Sequence, residues 1–217
     1  MNGTMTFGTT VDEATAYAIL DRFAEAGGTF VDTSNNYAFW VNGTQGGESE
    51  ELVGRWLRSR GVGDGITVAT KLGARPNLAD RPSTSRLKPL EETVRGFAEV
   101  VADGTAGLLG ASNHWAWRVE RARTLAAAAG VPGYEVLQHH HSYLRQRTDV
   151  PSLRSPDGNQ GLVSGDLLSY LRDTPSLTQV AYSPLIGASS VAQLEENLGA
   201  VDLDLTAEQR ARLDSVN

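Results

Sequence analysis

A chain of 217 residues with 19 Lys plus Arg against 26 Asp plus Glu carries a formal charge of −7, which disfavours a nucleic-acid binder and fits a single domain over 1–217. Its 40% hydrophobic and 21% charged residues suffice for a real core and exclude a disordered segment. Zero cysteines exclude disulfide frameworks, thiolate zinc sites, iron–sulfur clusters and cysteine nucleophiles, leaving the chemistry to oxygen and nitrogen.

No apolar run approaches the ~18 residues of a membrane span, and Met1-Asn2-Gly3-Thr4 lacks the basic and apolar regions of a signal peptide, so a cytoplasmic protein with no membrane partner is expected. Along the chain, Thr10 with Glu13 reads as a capping box, and Ala16, Ile19, Leu20, Phe23 and Ala24 follow helical spacing up to Gly27-Gly28. Thr29 to Asp32 then reads as a short strand buried on both faces. A second helix is expected over Glu48 to Arg60, with Leu52, Val53, Trp56 and Leu57 on one stripe, and a second strand over Ile66 to Lys71. Pro89 suits the first turn of the next helix, Glu91 and Glu92 its positive end, and Leu108 to Asn113 the following strand. Further helices are expected over 119–129, 162–172, 191–198 and 207–216, with strands over 134–139 and 179–183.

Repeated βα units with short turns argue for a parallel sheet with right-handed crossovers, closed into a barrel or open and doubly wound. No G-x-G-x-x-G follows the first of these strands, so the phosphate fingerprint of the open dinucleotide-binding sheet is missing. Polar residues stand instead at the C-terminal ends of several strands: Asp32, Lys71, Ser112 with Asn113, Gln138, and Tyr182 with Ser183. In a (β/α)8 TIM barrel these ends share one mouth, so the expected class is α/β and the barrel is preferred. His139-His140-His141 does not read as a metal site, because alternate strand residues face opposite ways and no carboxylate joins them at ligand spacing.

The strand-end residues fall in a pattern that resembles the aldo-keto reductases, NAD(P)H-dependent oxidoreductases on a (β/α)8 barrel. Gly3-Thr4-Met5-Thr6-Phe7-Gly8 is similar to the family's first strand end, and Phe30-Val31-Asp32-Thr33-Ser34-Asn35-Asn36-Tyr37 to its D-x-x-x-x-Y signature, followed by Gly47-Glu48-Ser49-Glu50. Thr70-Lys71, Gly110-Ala111-Ser112-Asn113, Gln138, Ala181-Tyr182-Ser183-Pro184-Leu185, Ile186-Gly187-Ala188-Ser189-Ser190 and Gln193-Leu194-Glu195-Glu196-Asn197 continue it in family order. The resemblance implies hydride transfer from NADPH to an aldehyde or ketone, with Tyr37 as general acid, Lys71 as its tuner and Asp32 as the support of that lysine. The chemistry is coherent, since an ordinary phenol with a pKa of ~10 is a sluggish acid at neutral pH and a neighbouring cation helps it. Without the family pattern, the favoured reading is a plain ion pair of Asp32 and Lys71 at a barrel rim, with Tyr37 a surface loop aromatic.

The resemblance further assigns the cofactor to Gly3, Thr4 and Met5, to Ser112, Asn113 and Gln138 at the nicotinamide carboxamide, to Tyr182 on its ring, and to the Ser183-Pro184-Leu185 run. Gly187, Ser189 and Ser190 stand where phosphate binds a helix start, and Gln193, Glu196 and Asn197 near the adenosine. Gln193 replaces a frequent family arginine, so NADH stays open beside NADPH. Ser190 with Gln193 reads as a second capping box, and Phe39 with Trp40 as a wall of the substrate pocket.

The pattern breaks twice. The chain passes from Arg86-Leu87 straight to Lys88-Pro89 where the family has the strand carrying its catalytic histidine, and from Tyr182-Ser183-Pro184-Leu185 straight into Ile186-Gly187 where it has a loop, a helix and most of the eighth strand. Five clear strands then make the barrel incomplete, and a longer natural chain is expected over a shortened relative, because losing an internal strand forfeits ladder pairing against a net stability of only ~5–15 kcal/mol. The competing reading is a nucleotide-binding sensor on the same fold that has lost turnover; a non-redox lyase or isomerase fits the Ser189-Ser190 loop poorly. A small-molecule carbonyl is the expected partner, and a monomer or small homo-oligomer the expected state.

Overall fold

The computed structural model describes residues 1–41, 43–73, 89–142, 161–182 and 188–215. Within them the elements run β1 (Asn2–Gly3), α1 (Glu13–Glu25), β2 (Phe30–Asp32), α2 (Glu48–Arg60), β3 (Thr67–Ala69), α3 (Leu90–Ala102), β4 (Leu109–Ser112), α4 (Ala116–Ala129), β5 (Tyr134–His140), α5 (Gly165–Asp173), β6 (Thr178–Tyr182), α6 (Val191–Leu198) and α7 (Ala207–Asp214). Every strand pair is parallel, in two sheets of order β1-β2-β3 and β4-β5-β6. The five strands expected are present, and the first strand end at Asn2–Gly3 adds a sixth. The contacts divide into two compact units, Met1–Ser85 with Ile186–Thr206 and Arg86–Leu185 with Ala207–Asn217.

In the first unit, α1 turns Ala16, Ile19, Leu20 and Phe23 inward and α2 adds Leu52, Val53 and Trp56, all packed with Val31 of β2 and with Ala188 and Leu194 near α6. Each fully buried Leu, Ile or Val contributes about 1.5–3 kcal/mol, so this apolar stripe is what holds the helices to the short sheet. The helices are also clamped by polar groups: Asp21 Oδ1 accepts from Trp56 Nε1 at 2.8 Å and from Arg60 Nε at 2.8 Å, while Arg60 Nη2 donates to Asp21 Oδ2 at 2.8 Å. The start of α1 differs from the Thr10–Glu13 capping box expected. Asp12 is the N-cap, accepting from Thr15 N at 2.8 Å. Thr10 cannot take that place because Val11 N donates to Thr6 O, Gly8 N donates to Val11 O, and Phe7 pairs with Val11, which holds residues 6–11 in a turn outside the helix.

In the second unit, β5 is the central strand. Leu137 lies under Val119, Ala122 and Ala126 of α4, with Leu90 and Val94 of α3, Leu109 and Ala111 of β4 and Leu167 of α5 completing the core. Pro89 stands one residue outside α3 as its N-cap, its ring unable to donate where the helix leaves an amide unpaired in any case. α4 begins three residues earlier than its apolar pattern suggests, because Ala116, Trp117 and Arg118 form a first turn whose side chains are not part of the buried stripe.

Candidate active site

Parallel pairing of β2 with β3 sets Asp32 opposite Ala69, and the pairing continues beyond both strands, with Thr33 N donating to Ala69 O at 2.8 Å and Asn35 N to Lys71 O at 3.0 Å. Lys71 is two residues past Ala69 and so shares its face, which delivers the ammonium to the Asp32 carboxylate. Lys71 Nζ donates to Asp32 Oδ1 at 2.6 Å, to Thr33 O at 2.8 Å and to the Tyr37 hydroxyl at 3.1 Å, one acceptor for each of its three N–H bonds. The Tyr37 hydroxyl in turn donates to Asp32 Oδ2 at 2.7 Å. The side chains of Asp32 and Lys71 are 5% and 22% exposed, so this is a largely desolvated pair. Burial pushes the Lys71 ammonium below the ordinary lysine value, against the attraction and hydrogen bond of Asp32. The three residues proposed as acid, tuner and support are therefore in mutual hydrogen-bond contact.

Beneath them lies a hydroxyl cluster that the residue pattern did not single out as such. Thr4, Thr33 and Ser49 are each at most 1% exposed. Ser49 Oγ donates to Thr4 O at 2.8 Å and lies 2.7 Å from Thr4 Oγ1 and 2.9 Å from Thr33 Oγ1, and Thr4 Oγ1 donates to Asp32 O at 3.0 Å. The signal was present: Ser49 lies on the same helical stripe as Leu52, Val53 and Trp56, and a polar residue on a buried face needs partners. Gly3 pairs with Asp32 in the ladder, whereas Met5 is 46% exposed. After Tyr37 the loop is fixed by Thr44, whose hydroxyl contacts Ala38 O at 2.6 Å and Val41 O at 2.7 Å. Phe39 and Trp40 stack edge to face with centroids 5.3 Å apart.

In the same unit, α6 opens on the second capping box in modified form. Ser190 Oγ accepts from Gln193 N at 3.3 Å, but the Gln193 side chain reaches one residue further back than the motif implies, accepting from Ser189 N at 2.8 Å and Ser189 Oγ at 2.9 Å. Glu196 is exposed, and Asn197 holds Nδ2 buried without a hydrogen-bond partner. Gly187, like Ser183, Pro184 and Leu185, lies outside the described residues.

In the second unit, Ser112 at the end of β4 is the register partner of Gln138 within β5, and Asn113 N donates to Gln138 O at 3.1 Å. Asn113 takes a left-handed backbone, φ 59°, and accepts from the Tyr182 hydroxyl through Oδ1 at 2.8 Å, so four of the expected nicotinamide residues are brought together. Gly161 must be glycine here: a Cβ would stand 2.7 Å from Asn113 Oδ1, and its φ is +81°. Of the histidines, His114 Nδ1 donates to Ser112 O at 2.8 Å, and His139, 1% exposed, donates through Nε2 to His114 O at 2.9 Å. Burial lowers both below the ordinary histidine value, so they sit neutral as structural donors. His140 packs its ring edge against Tyr182 with centroids 5.6 Å apart. No helix among the described residues is long and apolar enough to cross a membrane.

Residues 1–87 match the family model for the Aldo/keto reductase family. Norsolorinic acid reductase of Aspergillus flavus is 30% identical over 183 residues, taking in 64% of this chain and 45% of the relative. The chain thus spans less than half the length of that relative. An NADP(+) aryl-alcohol dehydrogenase of Phanerodontia chrysosporium is 24% identical over 298 positions that take in 92% of this chain and 75% of the relative. With only 217 residues here, about a hundred positions of that relative have no counterpart. The crystal structure of an aldo-keto reductase from Klebsiella pneumoniae in complex with NADPH superposes at a TM-score of 0.72 and 19% identity, over 99% of this chain and 89% of that one. A second from the same organism, with NADP and acetate, gives 0.71 at 19% identity. These likenesses show the fold, the (β/α)8 class with two strands fewer among the described residues. Residues 1–87 thus carry the pattern of the Aldo/keto reductase family, and the chain shares the fold of solved aldo-keto reductases along its length.

Proposed function

We propose that this chain reduces an aldehyde or ketone with hydride from NADPH, Tyr37 giving the proton to the carbonyl oxygen. The carrying observation is the Tyr37 hydroxyl held between the Asp32 carboxylate at 2.7 Å and the Lys71 ammonium at 3.1 Å. Its relatives named as a reductase and an NADP(+) dehydrogenase, and neighbours named as complexes with NADPH and NADP, support the reading. The residues fit a dinucleotide, since α6 ends in an unpartnered buried Asn197 Nδ2 and presents the Ser189 hydroxyl and amide at its start. By the resemblance, Ser189, Ser190, Gln193, Glu196 and Asn197 are assigned to its phosphate and adenosine end, and Ser112, Asn113, Gln138 and Tyr182 to its nicotinamide. Bound there, the cofactor supplies the hydride.

The chain's own residues handle the proton. At rest the phenol proton is donated to Asp32. When a carbonyl oxygen gathers negative charge beside it, the O–H turns from Asp32 to that oxygen and the proton follows. Lys71 then neutralises the charge left on the phenol oxygen, while Asp32 keeps the ammonium in place. A small-molecule carbonyl as partner, a cytoplasmic setting and a monomer or small homo-oligomer complete the reading.

The test is NADPH consumption with a reactive aromatic aldehyde, beside NADPH binding followed by quenching of tryptophan emission. Wild type should turn over, and Tyr37→Phe should lose about 10²- to 10⁴-fold in kcat while still binding NADPH. Full activity in Tyr37→Phe refutes the acid role. Tight NADPH binding by wild type with no turnover would establish the sensor reading instead.

A further inference from the structure

We propose that Ser49 is a positioning residue for Lys71: its hydroxyl, reaching from the first turn of α2, seats the Thr33 peptide so that the Thr33 carbonyl meets the lysine ammonium. The consequence for turnover rests on the reductase reading; the positioning itself does not.

Lys71 has three N–H bonds and three acceptors, the Asp32 carboxylate, the Tyr37 hydroxyl and the Thr33 carbonyl. Two of these acceptors are side-chain atoms. The third is a backbone atom, and it sets where the ammonium sits. Thr33 is held on the N-terminal side of its Cα by its own N–H, which donates to Ala69 O at 2.8 Å. It is also held through Thr33 Oγ1, which has Ser49 Oγ at 2.9 Å. Ser49 simultaneously ties down the residue across the ladder, through 2.8 Å to Thr4 O and 2.7 Å to Thr4 Oγ1, and Thr4 grips the Asp32 carbonyl through both its amide and its hydroxyl at 3.0 Å. One buried hydroxyl thus ties the backbone on both sides of Asp32.

The hydrogen count makes the cluster tight. Thr4, Thr33 and Ser49 bring three hydroxyl protons to four contacts, so one proton is shared and no hydroxyl has a spare partner. Without the Ser49 hydroxyl, Thr33 Oγ1 and Thr4 O are left in a pocket at most 1% exposed with a partner missing. Thr33 then loses the side-chain anchor on its own Cα, and the inference is that its carbonyl shifts relative to Lys71. An ammonium that loses an acceptor holds its proton less well.

The chain has two lysines, Lys71 and Lys88, so 13Cε-lysine NMR gives two signals, with Lys88 as the internal reference. In Ser49→Ala and in Thr33→Val the Lys71 titration midpoint should fall by about one pH unit, the scale of a weakened charge-assisted hydrogen bond. The double variant should fall no further than either single one, and Thr33→Ser, which keeps the hydroxyl, should titrate as wild type does. If Ser49→Ala does not fold, Thr33→Val against Thr33→Ser decides alone. The inference is overturned if the Lys71 midpoint is the same in Thr33→Val and Thr33→Ser, or if the two single shifts add. In the reductase assay the two shifting variants should lose roughly tenfold in kcat with KM and NADPH binding retained. Absence of carbonyl reduction in wild type would remove the functional reading and leave the NMR result to judge Ser49.

Discussion

Replacing Lys71 by Met keeps most of the unbranched apolar stem and removes the charge, and the structure sets the cost. Removing one partner of a fully buried ion pair costs about 3–5 kcal/mol because the other charge stays behind. Asp32 is that other charge here and its side chain is 5% exposed, but Lys71 keeps 22% exposure, so solvent already screens part of the pair and about 2–4 kcal/mol is expected. With a urea slope of about 1–3 kcal/mol per molar, this lowers the unfolding midpoint by roughly 1–2 M. The probe should report on the first unit alone, and buried Trp56 does so once Trp40, Trp115 and Trp117 are replaced by Phe. Adding Asp32→Asn to Lys71→Met removes the stranded charge and should return part of the loss, giving a coupling of at least about 1 kcal/mol in the double-mutant cycle. A loss below about 1 kcal/mol for Lys71→Met, or strict additivity with Asp32→Asn, would refute the claim that this pair is desolvated.

The neutral histidines give a pH dependence. His114 and His139 are lowered in the folded chain from the ordinary histidine value of 6.5, so below that pH the unfolded chain binds protons that the folded one refuses. Their stabilising share is present above pH 6.5 and lost as pH falls through 6.5 towards the lowered folded values, at up to about 1.4 kcal/mol per pH unit for each. Urea midpoints at pH 7.5 and 5.5 should differ in this sense, and His139→Gln should flatten the slope; an unchanged slope would show that this ring is protonated without penalty. Gly46→Ala should destabilise by about 2 kcal/mol or more, since φ is +88° and a Cβ would lie 2.6 Å from Asn35 O, whereas Gly43→Ala, at φ +87° with open space, carries only the backbone cost of about 1 kcal/mol. Equal thermal shifts for the two would refute the close approach at Gly46.

The helix and strand order was legible because apolar spacing alone marks both periods. Ile19, Leu20 and Phe23 recur at helical intervals, and the strands are short runs bounded by glycine. Asp32, Tyr37 and Lys71 were legible as a set only through the spacing of the family pattern, since thirty-nine residues separate Asp32 from Lys71 and only parallel pairing of β2 with β3 brings them together. For Ser49 the helical stripe marks burial only; its partners, Thr33 among them, belong to a hydrogen-bond cluster assembled from the end of β1, the end of β2 and α2, which no local pattern encodes. The cap of α1 was misplaced for a related reason: the Thr6–Val11 turn that excludes Thr10 is held by backbone bonds, and these leave no trace in residue type.

A closed eight-strand barrel has no edges. The two places where the family pattern breaks lie between β3 and α3 and between β6 and α6, at the fourth and eighth strands of that pattern. Taking the fourth and eighth strands from a ring of eight leaves two runs of three consecutive parallel strands, and β1-β2-β3 with β4-β5-β6 is that arrangement. Among the described residues β2 and β5 are therefore paired on both sides, while β1, β3, β4 and β6 are paired on one. Successive amides of a strand point to alternate neighbours, so in β3 and β4 every second amide faces away from the partner strand. Amide hydrogen exchange should then be slowest in Val31 of β2 and Leu137 of β5. The outward amides of Thr67–Ala69 and Leu109–Ser112 should exchange at least about tenfold faster, the equivalent of one missing hydrogen bond of ordinary strength. Equal protection across all six strands would refute the edge assignment.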